Sequence, residues 1–515
     1  MELTTSKATS NYSKLKAYQR LVDIINTAFL EPKGIPFVEQ IPSPKCLSDR
    51  IAIVGAGPAG IHMAYLLKKK GFTNIVVLEK TNTIGGKSNT IKHRNVIHEM
   101  GTCYLQPDYD DNVVALAKEF GLWKPVNIPS ANVWLDQDQF PRAYNEYVVI
   151  EAMKILKIRD RDLAQQKLFS AIIKYTLVHR ELFGKYDGEL MRKPAPSTMN
   201  ILNCTFSKFL SKYNLTVLKP IFIASHTIQG YGHLDEISAL YGLMWNTPNF
   251  LKGLAGKFMG KDHGLTMISG GFQGLWETVK TRENIKVCFN VNIKRIQRTS
   301  SCVYIYDKSR RRVLKFDFLI WTPSLFSNLH VINASQKEKK IFSKLNPAWF
   351  TTTLFDSTYG IRGSSPIDYW ISNIENKREC LVWSQRDSYG TLNSLQGPAY
   401  QNGSLPGGPD GKFVRTGVAY QYGKRKPSVS KNKQAFYQHF RKLHASHIQI
   451  VKQKTWEYFP RFSTQEMATG VLWDILEMQG SRRTWFAGSS VIFESVKSVL
   501  EYNKLLVSKM TNVTD

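Results

Sequence analysis

The sequence has no apolar run long enough to cross a bilayer, which takes about 20 residues. Its first stretch, MELTTSKATSNYSKLKAYQRL, has no apolar core followed by small residues, as a secretory signal would. We therefore expect neither a transmembrane helix nor a signal peptide. These absences favour a cytoplasmic location, with peripheral contact to a membrane left open.

Cysteine is scarce, with six residues spread along 515 positions. No two of them have a spacing typical of a metal site, and nothing pairs them into a disulfide framework. Scattered thiols of this kind are typical of a reducing compartment. We predict no metal site.

Acidic residues are also few: 41 Asp and Glu face 69 Lys and Arg, which gives a formal net charge of +28. Such a charge favours an anionic partner, for example a lipid surface, a nucleic acid or an acidic substrate. The basic residues are scattered, however, and no nucleic-acid recognition motif accompanies them. We expect solvated basic faces and no specific binding of nucleic acid.

What is present is a dinucleotide-binding pattern in RIAIVGAGPAGIHMAYLLKKKGFTNIVVLEK, from Arg50 to Lys80. Two short apolar runs predict parallel strands, and a helix from Pro58 to Lys70 connects them. The turn before that helix has the G-x-G-x-x-G spacing, and its amides predict a pyrophosphate site. An acid after the second strand suits a ribose diol. The predicted contacts are Gly55, Gly57, Pro58, Ala59, Gly60, Glu79 and Lys80.

A second glycine motif follows in TNTIGGKSNT, and HEMG comes after it. With this motif the chain resembles the flavin amine oxidoreductase superfamily. The resemblance implies that Gly85, Gly86, Lys87 and Ser88 run along the pyrophosphate and ribityl chain of FAD. It also implies an α/β fold with a Rossmann-type FAD-binding lobe and an inserted, mixed α+β substrate lobe.

Two later segments extend the resemblance. The likeness of SGGFQGLWETVKTRENIKVCFNVNIKRI to the family's adenine-binding segment implies that Ile293 contacts the adenine, and RRTWFAGSSVIFESVKSVLEYNKLL resembles the C-terminal flavin motif. There the resemblance implies contacts from Gly488, Ser489, Phe493 and Glu494, with a helix beginning near the last two. Many relatives have Glu where this chain has Ser489. No Cys or His is close to this motif, so we expect noncovalent FAD.

Within the superfamily the chain is most similar to the polyenoic fatty acid isomerase branch, through GYGHLDEISALYGL, TWEYFPRFS and EMQGSRRTWFAG. That branch implies hydride transfer to flavin N5 from an unsaturated lipid, with the hydride then returned at another carbon. An apolar small-molecule or lipid substrate follows. Trp456, Tyr458 and Phe459 are candidates for stabilising a cationic substrate, or are ordinary core aromatics. The alternatives are an amine or small-molecule oxidase or dehydrogenase, and a non-catalytic flavin-binding protein.

Two departures from the family weigh on the choice of substrate. The fatty acid isomerase would carry an arginine for the substrate carboxylate in the stretch aligned with Asn127 to Trp134, which here reads NIPSANVW. Amine oxidases carry a lysine beside flavin N5, yet PAWFTTTLF has none, and Thr351 or Thr352 stands in its place. The first departure argues against a free fatty acid, and the second against an ordinary amine oxidase.

The domain organisation follows from these segments. Within residues 1–49, an N-terminal extension, the spacing of Tyr18, Leu21, Val22, Ile25 and Phe29 predicts a helix with one apolar face. That helix binds an anionic membrane surface or packs on the protein itself. The FAD-binding lobe is predicted at 50–120, 265–330 and 455–515. The substrate lobe is predicted at 121–264, mostly helical, and 331–454.

Overall fold

A computed structural model describes most of the chain. The described residues are 15–26, 31–106, 109–127, 131–135, 141–186, 190–258, 266–268, 270–358, 367–387, 404–405, 414–511 and 513.

The described residues form the following helices and strands. The helices are α1 (15–26), α2 (Pro58–Lys69), α3 (Ala115–Glu119), α4 (Tyr144–Leu156), α5 (Arg161–Phe183), α6 (Pro196–Leu202), α7 (Phe206–Lys212), α8 (Lys219–Phe222), α9 (Ala239–Trp245), α10 (Pro248–Phe258), α11 (Gly271–Arg282), α12 (Leu325–Asn328), α13 (Gln336–Phe342), α14 (Ile371–Glu375), α15 (Val429–Lys442), α16 (Thr464–Ala468), α17 (Val471–Glu477) and α18 (Val496–Ser508). The strands are β1 (Ile51–Val54), β2 (Ile75–Leu78), β3 (Thr90–His93), β4 (Val96–Glu99), β5 (Pro125–Asn127), β6 (Asn132–Trp134), β7 (Arg142–Ala143), β8 (Thr266–Ile268), β9 (Val287–Cys288), β10 (Ile293–Arg298), β11 (Val303–Asp307), β12 (Arg312–Phe316), β13 (Phe318–Trp321), β14 (Asn346–Thr358), β15 (Ile367–Trp370), β16 (Val382–Asp387), β17 (Ser404–Leu405), β18 (Val414–Gly423), β19 (Ser446–Arg461) and β20 (Thr484–Phe486).

The first sheet is parallel, with strand order β20-β13-β1-β2-β9. Its central strand β1 is buried along its whole length because helices cover both faces of such a sheet. The strands come from three separated parts of the chain, so this sheet is assembled from the beginning, the middle and the end of the sequence. The exact domain boundaries stay a prediction.

The second sheet, called the large sheet below, has the order β19-β14-β18-β16-β15-β6-β7, with β17 added on β18. Its pairs are antiparallel except for β15 and β6. Long strands such as β14 and β19 carry alternating side chains, so every second residue faces the same side. One of these two faces builds part of the site described below.

Helix α1 packs on the protein through its apolar face. Leu21 is fully buried and Ile25 nearly so, and Tyr18 packs against the same core. This placement matches the interpretation in which the N-terminal helix packs on the protein itself. Phe29 lies outside the described residues, and contact with an anionic membrane stays a prediction. Among the residues that the structure describes, no helix has the length and apolar character needed to cross a membrane.

Candidate active site

A cavity of about 900 Å³ is lined by residues of both sheets. Val54, Leu78 and Trp321 are the last residues of β1, β2 and β13, and open α/β sheets bind their ligands at the carboxyl ends of their strands. Thr352 and Tyr420 contribute from the large sheet. The cavity is therefore where the two halves of the fold meet.

Most of the residues predicted to bind the cofactor line this cavity. They are Gly55, Gly57, Pro58, Ala59, Glu79, Lys80, Gly86, Lys87, Ile293, Gly488, Ser489 and Glu494. Four others lie behind its wall: Gly60, Gly85, Ser88 and Phe493. Distant segments of the sequence are thus brought to one place, while the part that each residue plays in binding stays a prediction.

The first glycine turn leaves a helix end open toward the cavity. Helix α2 begins after Gly57, which makes no side-chain cap, with Pro58 at its start and no acidic residue in its first turn. The unsatisfied amides and the positive end of the helix dipole form an anion site there. Gly60 serves close packing instead, because a Cβ at this position would lie 1.9 Å from the carbonyl oxygen of Gly55. Only glycine lets the helix approach the turn so closely.

The two glycine motifs touch through their backbones. A Cβ on Gly57 would lie 3.7 Å from the Cα of Gly86, and Gly86 has a φ of +55°. The C-terminal motif packs on the turn after β13, because a Cβ on Gly488 would lie 2.7 Å from the carbonyl oxygen of Thr322. Three bare backbone segments therefore border the cavity, and a long anionic ligand can lie against them.

The carboxylate of Glu79 is held at the cavity wall by its neighbours. One of its oxygens accepts from the backbone N–H of Ala56 at 2.8 Å. The other accepts from the backbone N–H of Thr81 at 2.8 Å and from the Thr81 hydroxyl at 2.9 Å. Three of the four lone pairs of the carboxylate are used in this way, so the group still accepts from one hydroxyl of a ribose diol.

Lys87 joins the second glycine motif to the C-terminal motif. Its ammonium lies 2.6 Å from Glu494, whose other oxygen accepts from the backbone N–H of Phe459 at 2.7 Å. Helix α18 was predicted to begin near Phe493 and Glu494, and it begins at Val496. The reason is Ser495, whose side chain accepts from the backbone N–H of Ser498 and caps the helix.

The predicted residues that do not line the cavity support its wall. Ser88 is fully buried, and its hydroxyl accepts from the indole N–H of Trp276 at 3.3 Å. Phe493 is fully buried and stacks on Trp245 with ring centroids 5.1 Å apart. A Cβ on Gly85 would lie 2.4 Å from the carbonyl oxygen of Ser88, so this glycine allows a tight turn.

The hydrogen-bond donors and acceptors of these residues fit the chemical groups of FAD. The open end of α2 and the bare glycine backbones suit a pyrophosphate, and the Glu79 carboxylate suits a ribose diol. The cavity continues from there along Lys87 and Gly488 to the large sheet, so one ligand can extend from the adenosine end to the substrate lobe.

The three aromatic candidates are placed differently. Trp456 and Tyr458 line the cavity, and the indole N–H of Trp456 donates to the backbone carbonyl of Met100 at 2.9 Å. Phe459 is fully buried behind them and packs edge-on against Tyr241, with ring centroids 5.0 Å apart. Of the three, Trp456 and Tyr458 are thus in a position to contact a ligand.

A row of side chains crosses the large sheet and faces the cavity. Paired Cα positions run from β15 to β19, and residues paired in this way share a face of the sheet. The members are Tyr369, Ser384, Tyr420, Thr352 and Lys454. Thr352 donates to the backbone carbonyl of Met100 at 2.9 Å. Of the two threonines proposed at the lysine position, this one lines the cavity.

Lys454 is a cavity residue that sequence reasoning missed, because the family pattern directs attention to β14. It lies directly opposite Thr352 on β19, and its ammonium sits 3.7 Å from the ring centroid of Trp456. Partial burial and the nearby Lys452 lower the pKa of its ammonium. The second missed residue is Arg386 of β16. The alternation of inward and outward side chains in QKTWEY and VWSQRD could have indicated these two residues, but only once the order of the strands in the sheet was known.

Glu99, the last residue of β4, gives the fold a pH-dependent stability. Burial raises the pKa of its carboxyl to about 7, although it accepts from the backbone N–H of Phe272 and from Thr90. The folded protein thus holds a proton that the unfolded chain releases near pH 4.5. This contribution to stability is full below that pH and is lost as the pH rises through about 7.

We expect the wild type, relative to Glu99→Gln, to lose about 2 kcal/mol of unfolding free energy between pH 5.5 and 7.5. The glutamine keeps a hydrogen-bonding side chain of the same size and does not titrate. Urea unfolding of both proteins at the two pH values, with equal flavin content, measures this difference. Parallel pH profiles for the two proteins would contradict it.

Comparison with known proteins agrees with this geometry. Residues 53–120 match the family model of an NAD(P)-binding Rossmann-like domain. A polyenoic fatty acid isomerase from Ptilota filicina is 26% identical over 221 residues, which is 40% of this chain and 42% of that protein. An FAD-dependent oxidoreductase from Colletotrichum higginsianum is 24% identical over 315 residues, 58% of this chain and 60% of that protein. The matches thus span about half the length of these two curated relatives.

Solved structures show the same fold over most of the chain. A fatty acid isomerase from P. acnes that produces CLA superposes with a TM-score of 0.71 at 22% identity, covering 90% of this chain and 98% of the other. Putrescine oxidase gives a TM-score of 0.58 at 14% identity, with the same coverage.

The fold is therefore that of flavin amine oxidase-like proteins, and the predicted α/β architecture is confirmed. The predicted resemblance to flavin oxidoreductases and to the polyenoic fatty acid isomerase is confirmed as well. The predicted cofactor, FAD, is the one that the relatives' names carry.

Proposed function

We propose that the protein is an FAD-dependent enzyme that moves a double bond in an unsaturated lipid. When bound, FAD supplies a reversible hydride acceptor. The observation that supports this proposal most is that one cavity is lined both by the dinucleotide-binding turn and by aromatic residues of the large sheet. The similarity to two fatty acid isomerases agrees with it.

The residues of this chain position the substrate and exclude water. Trp456 and Tyr458 present aromatic surface to the cavity, and the ring faces that Lys454 and Lys87 do not occupy would stabilise positive charge on a bound chain. Ile221 and Ile228 add apolar wall. Thr352 and Trp456 share the carbonyl of Met100, so their side chains are held in fixed orientations. A dry, fixed wall of this kind favours a single reacting geometry.

The test is to incubate the purified flavoprotein with polyunsaturated fatty acids and follow conjugated-diene absorbance without added oxidant. Trp456→Leu is expected to lower the rate about 100-fold, because the aromatic face is lost, and Trp456→Phe by less than about tenfold. Phe459→Leu is the matched control behind the wall and should change stability more than rate. No absorbance change with any long-chain polyene would exclude the isomerase function.

A second candidate is an amine oxidase or dehydrogenase, and Lys454 is the observation that favours it. The lysine that β14 lacks is present on the neighbouring strand, and it lines the same cavity. Peroxide formation with a panel of amines, abolished in Lys454→Met, would favour this function. A bound flavin that no lipid or amine reduces would instead indicate a non-catalytic flavin-binding protein.

A further inference from the structure

Arg386 is a buried cation in the wall of the cavity. It lies on β16 with 1% of its surface exposed, and its Cα pairs with Ile367 and Val418. All three residues share the face of the large sheet that carries the row described above. The guanidinium is therefore at a ligand site, not at the protein surface.

The hydrogen bonds of Arg386 within the described residues include no ion pair. Its Nε donates to the hydroxyl of Tyr420 at 2.7 Å, and one Nη donates to the backbone carbonyl of Glu99 at 2.9 Å. The other Nη has the sulfur of Met267 at 3.7 Å, a weak acceptor. In the described part of the chain, no carboxylate lies within ion-pair distance of it.

Arg298 is a buried arginine of this protein that does have a carboxylate partner. It is 2% exposed, and Glu338 binds it with two hydrogen bonds of 2.7 and 2.8 Å. Buried charges are normally paired in this way, because an isolated ion is costly in a medium of low polarity. Arg386 differs in having a cavity where its partner would be.

The carboxyl of Glu99 makes no ion pair with Arg386, although the two residues are joined through the Glu99 backbone. This carboxyl accepts from the backbone N–H of Phe272 and from Thr90 instead, and its burial raises its pKa to about 7 against the opposing attraction of Arg386. The rings of Tyr104 and Tyr420 lie 5.4 and 5.5 Å from the guanidinium carbon and compensate only part of the charge.

We propose that Arg386 binds a carboxylate of the substrate inside the cavity, so that the substrate is an unsaturated acid and not a neutral lipid or an ester. This proposal rests on the proposed function and names its substrate class. The acid-binding arginine is then on β16, and not in the stretch between Asn127 and Trp134 where the family pattern would put it.

The position of Arg386, the proposed anchor for the substrate carboxylate, follows from the neighbouring backbone carbonyls of Glu99 and Met100. Arg386 donates to Glu99, while Thr352 and Trp456 donate to Met100, and consecutive Cα atoms are about 3.8 Å apart. The bound carboxylate therefore lies in the same part of the cavity as the row across the sheet. The acid group is taken fully out of water, which makes binding depend strongly on Arg386.

The test measures binding without turnover. The flavin-loaded protein is titrated with decanoate and with methyl decanoate, and perturbation of flavin absorbance and of tryptophan fluorescence is followed. We expect the wild type to bind the acid about 100-fold more tightly than the ester. Arg386→Gln should abolish this preference by weakening only the acid. Arg386→Lys should retain part of this preference, since the positive charge remains and the bidentate hydrogen bonding of the guanidinium is lost.

Tyr420→Phe is the matched control, because it removes the partner of Nε and keeps the cation. It should preserve most of the preference for the acid. Equal affinity of the wild type for acid and ester would overturn the proposal, and so would an equal loss of both ligands in Arg386→Gln. If that variant does not fold, the ratio of the two affinities in Arg386→Lys decides.

The two proposals fail separately. Acids that bind through Arg386 but are never isomerised would refute the double-bond chemistry and leave the anchor intact. Polyenes that are isomerised equally well as acids and as esters would refute the anchor and leave the chemistry intact.

Discussion

Gly60→Ala is expected to destabilise the protein by about 3 kcal/mol or more and to prevent retention of flavin. The added methyl group would lie 1.9 Å from the carbonyl oxygen of Gly55 and 3.3 Å from a methyl group of Ile53. The first of these atoms belongs to the backbone of the turn, so relief requires α2 to move away from β1. Urea unfolding and the flavin content of the purified variant measure the effect.

Two other glycines serve as controls. Gly274→Ala lies within α11 with nothing within 4 Å of the new methyl group, and should stabilise the protein by about 0.5 kcal/mol. Gly57→Ala makes only an ordinary contact, 3.7 Å from Gly86, but points into the predicted pyrophosphate site. It should fold with nearly normal stability and bind FAD at least about tenfold more weakly. Full flavin content in both Gly57→Ala and Gly60→Ala would contradict the proposed cofactor site.

Glu494→Ala is expected to cost about 2 kcal/mol of stability and to weaken FAD binding about tenfold. The substitution removes the partner of Lys87 and leaves the backbone N–H of Phe459 buried without an acceptor. Phe459 has a φ of +45°, so its backbone conformation depends on being held. Thermal unfolding together with flavin fluorescence during dialysis measures both effects.

Glu494→Gln separates the charge from the hydrogen bond. Its amide oxygen still accepts from Phe459, while the ion pair with Lys87 is lost. We expect it to keep more than half of the stability that the alanine variant loses. A glutamine variant as unstable as the alanine variant would show that the ion pair, and not the backbone contact, holds this corner of the cavity.

The dinucleotide-binding unit could be predicted closely from the sequence. The predicted strands 51–54 and 75–78 are those observed. The helix was predicted to end at Lys70, and the observed helix ends at Lys69. Here every signal is local: an apolar run, a glycine turn and a proline at the first helical position act within a few residues. The start of α18 was less well predicted, because Ser495 caps it beyond the residues that the motif emphasises.

The wall of the large sheet could not be predicted in the same way. Lys454 and Arg386 face the cavity because β19, β14, β18 and β16 are neighbours in that order, which no short stretch of sequence encodes. Pairing register decides which side chains share a face, and it depends on contacts between residues far apart in the chain. Phe459 and Phe493 show a second limit of motif position, since both residues are fully buried and neither lines the cavity.

The backbone carbonyls of Glu99 and Met100 connect the two halves of the molecule by hydrogen bonds. They accept from three side chains on three strands of the large sheet, Arg386, Thr352 and Trp456. Swinging the halves apart would break all three bonds together, at a cost of about 4 kcal/mol. Separation of the two halves at this point is therefore disfavoured, because the three hydrogen bonds have to break together.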